Sequence, residues 1–163
     1  MKISRYIIAI FTVGCLMVPI LNAQSSQTDE QQLDAYIDMM RKDMRIEKQA
    51  VVDETMRLEA ADKAKFWDVY SKYQSDLTAL WDERLKNIKE YAKNYENMTD
   101  AVCDALIDKA LDIENQKTAL KKKYYDLMKS ALNSHVAARF LQVETAIDHM
   151  VDLQLASEIP LVQ

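Results

Sequence analysis

The sequence predicts an all-α fold of four helices, a long antiparallel helical hairpin with flanking N- and C-terminal helices. Three observations predict it. Gly14 is the only glycine in 163 residues, and Pro19 and Pro160 are the only prolines. A β-rich domain needs residues with positive φ at many hairpin turns, and past Pro19 this chain has no glycine to supply them. Apolar residues also recur at steps of three and four over long stretches, the period of a helix with one buried face. Finally, the longest of these stretches are separated only by short polar interruptions, which suits antiparallel neighbours.

Taking the chain in order, Lys2 and Arg5 precede "YIIAIFTVGCLMVPIL", an apolar run of 16 residues, and Ala23 stands just before polar "QSSQTDEQQ". That layout predicts a signal peptide over residues 1–23 and a single helical domain over residues 24–163. The run is shorter than the roughly 20 apolar residues a membrane span requires, so no stable membrane insertion is expected after cleavage. Loss of Lys2 and Arg5 moves the formal charge from −5 to −7. An exported acidic chain lacks the positive field that phosphate binding requires, which argues against nucleic acid as a partner. Cys15 leaves with the leader. Cys103 then stands alone beside Val102, Leu106 and Ile107, either as a small buried hydrophobe or as half of an intermolecular bridge.

Leu33, Tyr36, Ile37, Met40 and Met44 begin a first helix that reaches about Val52, and "DETMRLEAAD" interrupts it weakly. The longest pattern follows: Phe66, Tyr70, Tyr73, Leu77, Trp81, Leu85, Ile88, Tyr91 and Tyr95. A helix over residues 59–96 would be roughly 55 Å long at 1.5 Å per residue. "NMTD" (Asn97 to Asp100) is the expected turn, with Asn97 suited to a left-handed helix end and Thr99 to capping the next helix. The third helix reads Val102, Leu106, Ala110, Ile113, Lys117, Leu120, Tyr124, Leu127, Ala131, an apolar stripe that Lys117 alone violates. "LNSHV" makes a corner without glycine, with Asn133 as cap or as left-handed end and Ser134 as the alternative cap. The last helix places Val136, Phe140, Val143, Ile147, Val151 and Leu155 on one face, and Pro160 stops it.

Three helix starts share a frame: "LEAAD" (Leu58 to Asp62), "MTDAV" (Met98 to Val102) and "LNSHV" (Leu132 to Val136). Each has a large apolar residue before the first turn, and Thr99 and Asn133 are good N-caps. The helix-capping set is thus Leu58, Asp62, Met98, Thr99, Leu132 and Asn133. This frame resembles the Leu-Thr-x-x-Gln motif of the Spy/CpxP family of periplasmic proteins, to which the zinc-associated ZraP is related. The likeness covers about residues 55–157, but the glutamine is missing from all three copies and Glu59 replaces the first threonine. The resemblance implies a periplasmic bent hairpin, commonly a homodimer with a concave face, that serves ATP-independent chaperoning or envelope-stress sensing. Such cradles are positively charged, and this chain is acidic.

With glycine confined to the leader, phosphate loops, dinucleotide fingerprints and nucleophile elbows are excluded in their usual forms, and the sequence predicts no enzyme and no cofactor. His149 with Asp148 and Asp152 has the donor types of a Zn²⁺ or Cu²⁺ site, but scattered acids and two histidines are near background, so no metal site is predicted. Client or interface binding falls to Trp67, Trp81, Tyr91 and Tyr95, which alternatively pack in the core, and to Lys121 and Lys122. Those two lysines belong to a run with Lys117, Lys123 and Lys129, either a solvated face or a positive patch for acidic client segments. The function expected is binding of unfolded or envelope proteins as a homodimer. A structural subunit for one dedicated partner and a metal-binding sensor are the rival readings. Intact-mass measurement of exported protein should find a chain starting at Gln24 or within a few residues; a full-length, membrane-embedded main species would refute the export argument.

Overall fold

The computed structural model describes Met39 and residues 45–162, and the chain divides into two compact units, Met1–Ile46 and Glu47–Gln163. The expected leader and the expected start of the first helix lie outside the described residues. Among the described residues the fold is all-α, with no strand. In the second unit α1 covers residues 47–56, α2 Ala60–Asn94, α3 Asp100–Ala131 and α4 Ser134–Glu158. A 3₁₀ turn, Tyr95–Asn97, leads out of α2. No described helix is long and apolar enough to cross a membrane.

α2 and α3 form the antiparallel hairpin, each roughly 50 Å long at 1.5 Å per residue. Pairing of Lys123 with Asp76 near one end and of Lys109 with Glu83 nearer the tip fixes their direction. α4 turns back along α3 and so runs parallel to α2, meeting it at Tyr70–Glu144, Arg84–Asp152 and Tyr91–Pro160 in sequence. α1 runs beside the first half of α4, tied by Lys48 to Glu144 and by Arg139 to the Met56 carbonyl oxygen at 2.6 Å.

The core sits where all four helices meet, at the end away from the hairpin tip. Val52 and Met56 of α1, Phe66, Tyr70, Tyr73 and Leu77 of α2, Tyr124 and Met128 of α3, and Ala137, Phe140 and Val143 of α4 close on one another. Tyr73 is the hub: its ring centroid lies 5.1 Å from Phe140 and 5.3 Å from Tyr124, both edge to face. Such aromatic pairs add about 0.5–1.5 kcal/mol each beyond their area burial. Their size also explains how α4 reaches α2. Long side chains bridge the two helices, whereas α4's backbone comes close to α3.

The helix ends differ in part from expectation. α1 continues to residue 56 and closes at Arg57, whose φ of 48° makes it the one non-glycine left-handed residue among those described. The left-handed residue therefore falls there, and not at Asn97, which lies in the 3₁₀ turn that tightens α2's last turn. Thr99 caps α3, its Oγ1 accepting from the Val102 amide at 3.3 Å. At the corner Asn133 is extended and its Oδ1 accepts from the Val136 amide at 3.0 Å, so Asn133 is the cap and Ser134 the first helical residue. Leu58 and Leu132 pack back on the core just before their helices begin, as a staple requires. Glu59 stands at the α2 cap without a side-chain hydrogen bond, in keeping with its poor capping chemistry. Leu127 faces solvent at 44 % exposure and Met128 takes the inward place the stripe assigned to it. Asn133→Ala should lower stability by about 1 kcal/mol, in the 0.5–2 range of lost caps, and Ser134→Ala by much less; equal urea midpoints for the two variants would contradict the assignment.

Candidate functional site

α4 carries Glu144, Asp148 and Asp152 at spacings of four, so one inward stripe of the helix is acidic. Each carboxylate meets bases or hydroxyls from the other helices. Glu144, 2 % exposed, accepts from Lys48 Nζ of α1 and from the Tyr70 hydroxyl of α2, each at 2.8 Å. The Tyr70 oxygen in turn accepts from Gln74 Nε2 at 2.9 Å. Asp148 pairs with Lys117 at 3.2 Å and Lys121 at 2.5 Å, both of α3. Asp152 pairs with Arg84 of α2 and, at 3.4 Å, with Lys117. Glu114 of α3 completes the group, 2.9 Å from Lys117. Every buried side-chain nitrogen and oxygen among the described residues has a partner.

Electrostatics follow from that pairing. Burial alone would lower the pKa of Lys117, but Glu114, Asp148 and Asp152 together raise it, so the ammonium stays charged at 5 % exposure. Burial pushes the Asp152 carboxyl up, and the hydrogen bond and charge of Arg84 with the charge of Lys117 outweigh it, leaving the carboxyl below its usual range. Burial first, then the neighbouring Glu144, raise the Tyr70 and Tyr73 hydroxyls far above an ordinary phenol. These groups satisfy one another. The cavity beside them, lined by Leu77, Leu80, Trp81, Arg84, Ile113 and Lys117, measures about 10 Å³, room for one water at most. What the arrangement does chemically is hold α4 to the hairpin.

On another face of the hairpin lies an open feature. A shallow furrow of about 450 Å³ runs between α2 and α3, lined by Asp76, Ala79, Leu80, Gln116, Ala119, Leu120 and Lys123. The alanines stand at its opening, and the leucines divide it from the buried side. At one end Asp76 accepts from Lys123 Nζ and from the Tyr124 hydroxyl, each at 2.9 Å, and those hydrogen bonds hold its carboxyl below the usual range. α3 also exposes Ile107 at 51 % and Leu111 at 59 %, one turn apart, and α4 exposes Leu153 at 74 %.

The residues expected to bind clients do not converge. Trp67 packs edge to face on Phe66 and Tyr70, each 5.2 Å away, at the core end. Trp81 lies beside the charged seam with the Arg84 guanidinium 5.0 Å from its ring. Tyr91 and Tyr95 pair at the hairpin tip, and the Tyr91 hydroxyl donates to the Pro160 carbonyl oxygen at 2.7 Å, tying down the tail. The lysine run forms no patch. Lys117 and Lys121 turn inward to Asp148, while Lys122 pairs with Asp126 and Lys123 with Asp76. The metal donors separate as well: Asp148 and Asp152 are engaged by lysines and an arginine, and His149 points to solvent from α4. Among the described residues no group of three potential ligands gathers.

Two signals of what was missed were present in the sequence. Lys117 breaks an otherwise apolar stripe, and three acids at spacings of four border the apolar face of α4. The furrow has its own mark, since "TAL" occurs at residues 78–80 and again at 118–120, on the two helices that face each other across it. Asp148→Ala would leave Lys117 and Lys121 short of a buried counter-charge. It should destabilise by about 3 kcal/mol or more, against about 0.5 kcal/mol or less for Lys122→Ala at an exposed pair; comparable losses in urea denaturation would disprove the difference in burial. Compared with known proteins, the chain finds no match among family models, curated proteins or solved structures.

Proposed function

We propose that the protein acts in the periplasm by binding other proteins, as an ATP-independent chaperone or envelope-stress accessory of the kind its resemblance to the Spy/CpxP family implies. The observation that supports this reading is the furrow between α2 and α3. A trough between two antiparallel helices, with small alanines at its opening and leucines beneath, has the shape and chemistry to receive the apolar ridge of a third helix. Ile107, Leu111 and Leu153 add exposed apolar contacts elsewhere on the same unit. The paired lysines give no support to a positively charged cradle, so apolar contact carries the binding. A dedicated partner that seats one helix in the furrow is the second reading, favoured by the furrow's shallow form and its single Asp76–Lys123 end.

Ala79 and Ala119 are both exposed, so arginine at these positions fills the furrow with a stability change of about 0.5 kcal/mol or less per site. The chaperone reading expects wild-type protein to suppress aggregation of an unfolded client at equimolar ratio and Ala79→Arg/Ala119→Arg to lose that suppression with its thermal midpoint unchanged. A double variant as active as wild type would rule the furrow out. Wild-type protein that ignores unfolded clients, yet retains one stoichiometric envelope protein that the double variant releases, would establish the dedicated partner instead.

A further inference from the structure

The charges that hold the unit together are unevenly distributed. Two pairs within the α2–α3 hairpin, Lys109 with Glu83 and Lys123 with Asp76, are solvated, with each side chain 41 % exposed or more, and a third, Arg84 with Glu114, is long at 3.9 Å and half exposed at Glu114. Pairs between α4 and the rest are more enclosed, and on α4 they are all acids: Glu144 and Asp148 are buried, and Asp152 is half-buried against Arg84. Exposed pairs contribute little, whereas a buried pair that loses one charge leaves the other uncompensated and strongly unfavourable. Protonating carboxylates therefore loads one interface, that of α4, far more than the hairpin. We propose that α4 is an acid-released arm: when its three inward carboxylates are neutralised, it leaves the hairpin while α2 and α3 stay paired.

The groups that face these carboxylates make the direction plain. Glu144 is faced by Lys48 from α1 and by Tyr70 and Tyr73 from α2. Asp148 is faced by Lys117 and Lys121 from α3 and by Tyr73 from α2. Asp152 is faced by Arg84 from α2 and by Lys117 from α3, with Glu114 alongside. Four cations thus remain in the seam once the acids are neutral, none able to shed its proton in acid. His149 and His135 are exposed on α4 and lie outside the seam. Burial raises the Asp152 carboxyl but Arg84 and Lys117 outweigh it, so its contribution is kept until pH falls through a value below the usual carboxylate range. The attachment of α4 is uneven. It meets α2 through side chains, it is joined to α3 by the short Leu132–Asn133 corner, and its tail is tied by the Tyr91–Pro160 hydrogen bond. The face uncovered would carry Tyr70, Tyr73, Tyr124 and Met128 on the hairpin and Phe140 and Val143 on the arm.

Hydrogen exchange read by mass spectrometry on the full chain, corrected for the intrinsic pH dependence, tests this. Between pH 7 and about pH 2, below the ordinary carboxylate range, the amides of residues 134–158 should lose at least tenfold in protection while those of residues 66–90 and 104–128 keep theirs. Glu144→Gln/Asp148→Asn/Asp152→Asn should exchange at pH 7 as wild type does at the acid end of that range. A second variant covers the case in which the triple variant does not fold: Lys117→Met/Lys121→Met/Asp148→Leu replaces the central pairs by apolar contact and should move release to lower pH. Retention of α4 protection at the acid end of the range, or loss of α2, α3 and α4 in one transition, overturns the proposal. The furrow residues lie on another face, so client binding can fail with release intact, and the reverse.

Discussion

Burying the Lys117 ammonium between α3 and α4 dictates the residues around it. An ammonium at 5 % exposure is tolerated only with full pairing, and Glu114, Asp148 and Asp152 supply it from two helices. Two of those acids lie on α4 one turn apart, so the demand of a single lysine sets both the rotation and the axial position of that helix. Arg84 and Lys121 balance the acids that Lys117 does not neutralise alone. Once α4 is placed in this way, Phe140 necessarily falls against Tyr73 and Tyr70, and Glu144 beneath Lys48. A same-sized apolar layer would bury as much surface with less desolvation, but would let α4 rotate or slide.

A chain with no glycine among its described residues must join its helices by other means. Asn133 and Thr99 cap with side-chain oxygens, and Asn94 to Met98 use a 3₁₀ turn and an extended residue. Arg57 takes the left-handed conformation outright, at a cost of roughly 1–2 kcal/mol. The same junction recovers part of that cost through Arg139, which donates to the otherwise unpaired Met56 carbonyl oxygen, and through burial of Met56 and Val52.

Period and punctuation are local properties, and what depends on them was legible: the four helices, the hairpin turn, the corner at Asn133 and the aromatic stripe of α2. What depends on which helix faces which was not. Lys121 and Lys122 are adjacent in sequence, and nothing local tells that one turns into a buried pair while the other stays in solvent. Asp148 and Asp152 carry the donor atoms of a metal site or of a salt bridge equally well, and only the approach of Arg84, Lys117 and Lys121 decides between them. Trp67 and Trp81 lie on one side of the α2 stripe and both pack against the core, yet Trp67 meets its aromatic rings and Trp81 the Arg84 guanidinium of the charged seam. The furrow is a property of two helices at once, which is why the repeated "TAL" has no meaning until α2 and α3 are laid side by side.

Leu80 shows how the two faces of the hairpin depend on each other. It lines the furrow on one side and the small cavity beside Arg84 and Lys117 on the other. A large aliphatic side chain there keeps water in the open furrow from reaching the buried charges, whose mutual attraction is strong only while the seam stays dry. Ala79 and Ala119 can therefore be small, and the furrow open between them, because the barrier is built one residue further in. The hairpin spends its apolar bulk on the face that α4 covers and its small side chains on the face left open. That division lets one pair of helices carry a closed charged latch and an accessible apolar trough without either disturbing the other.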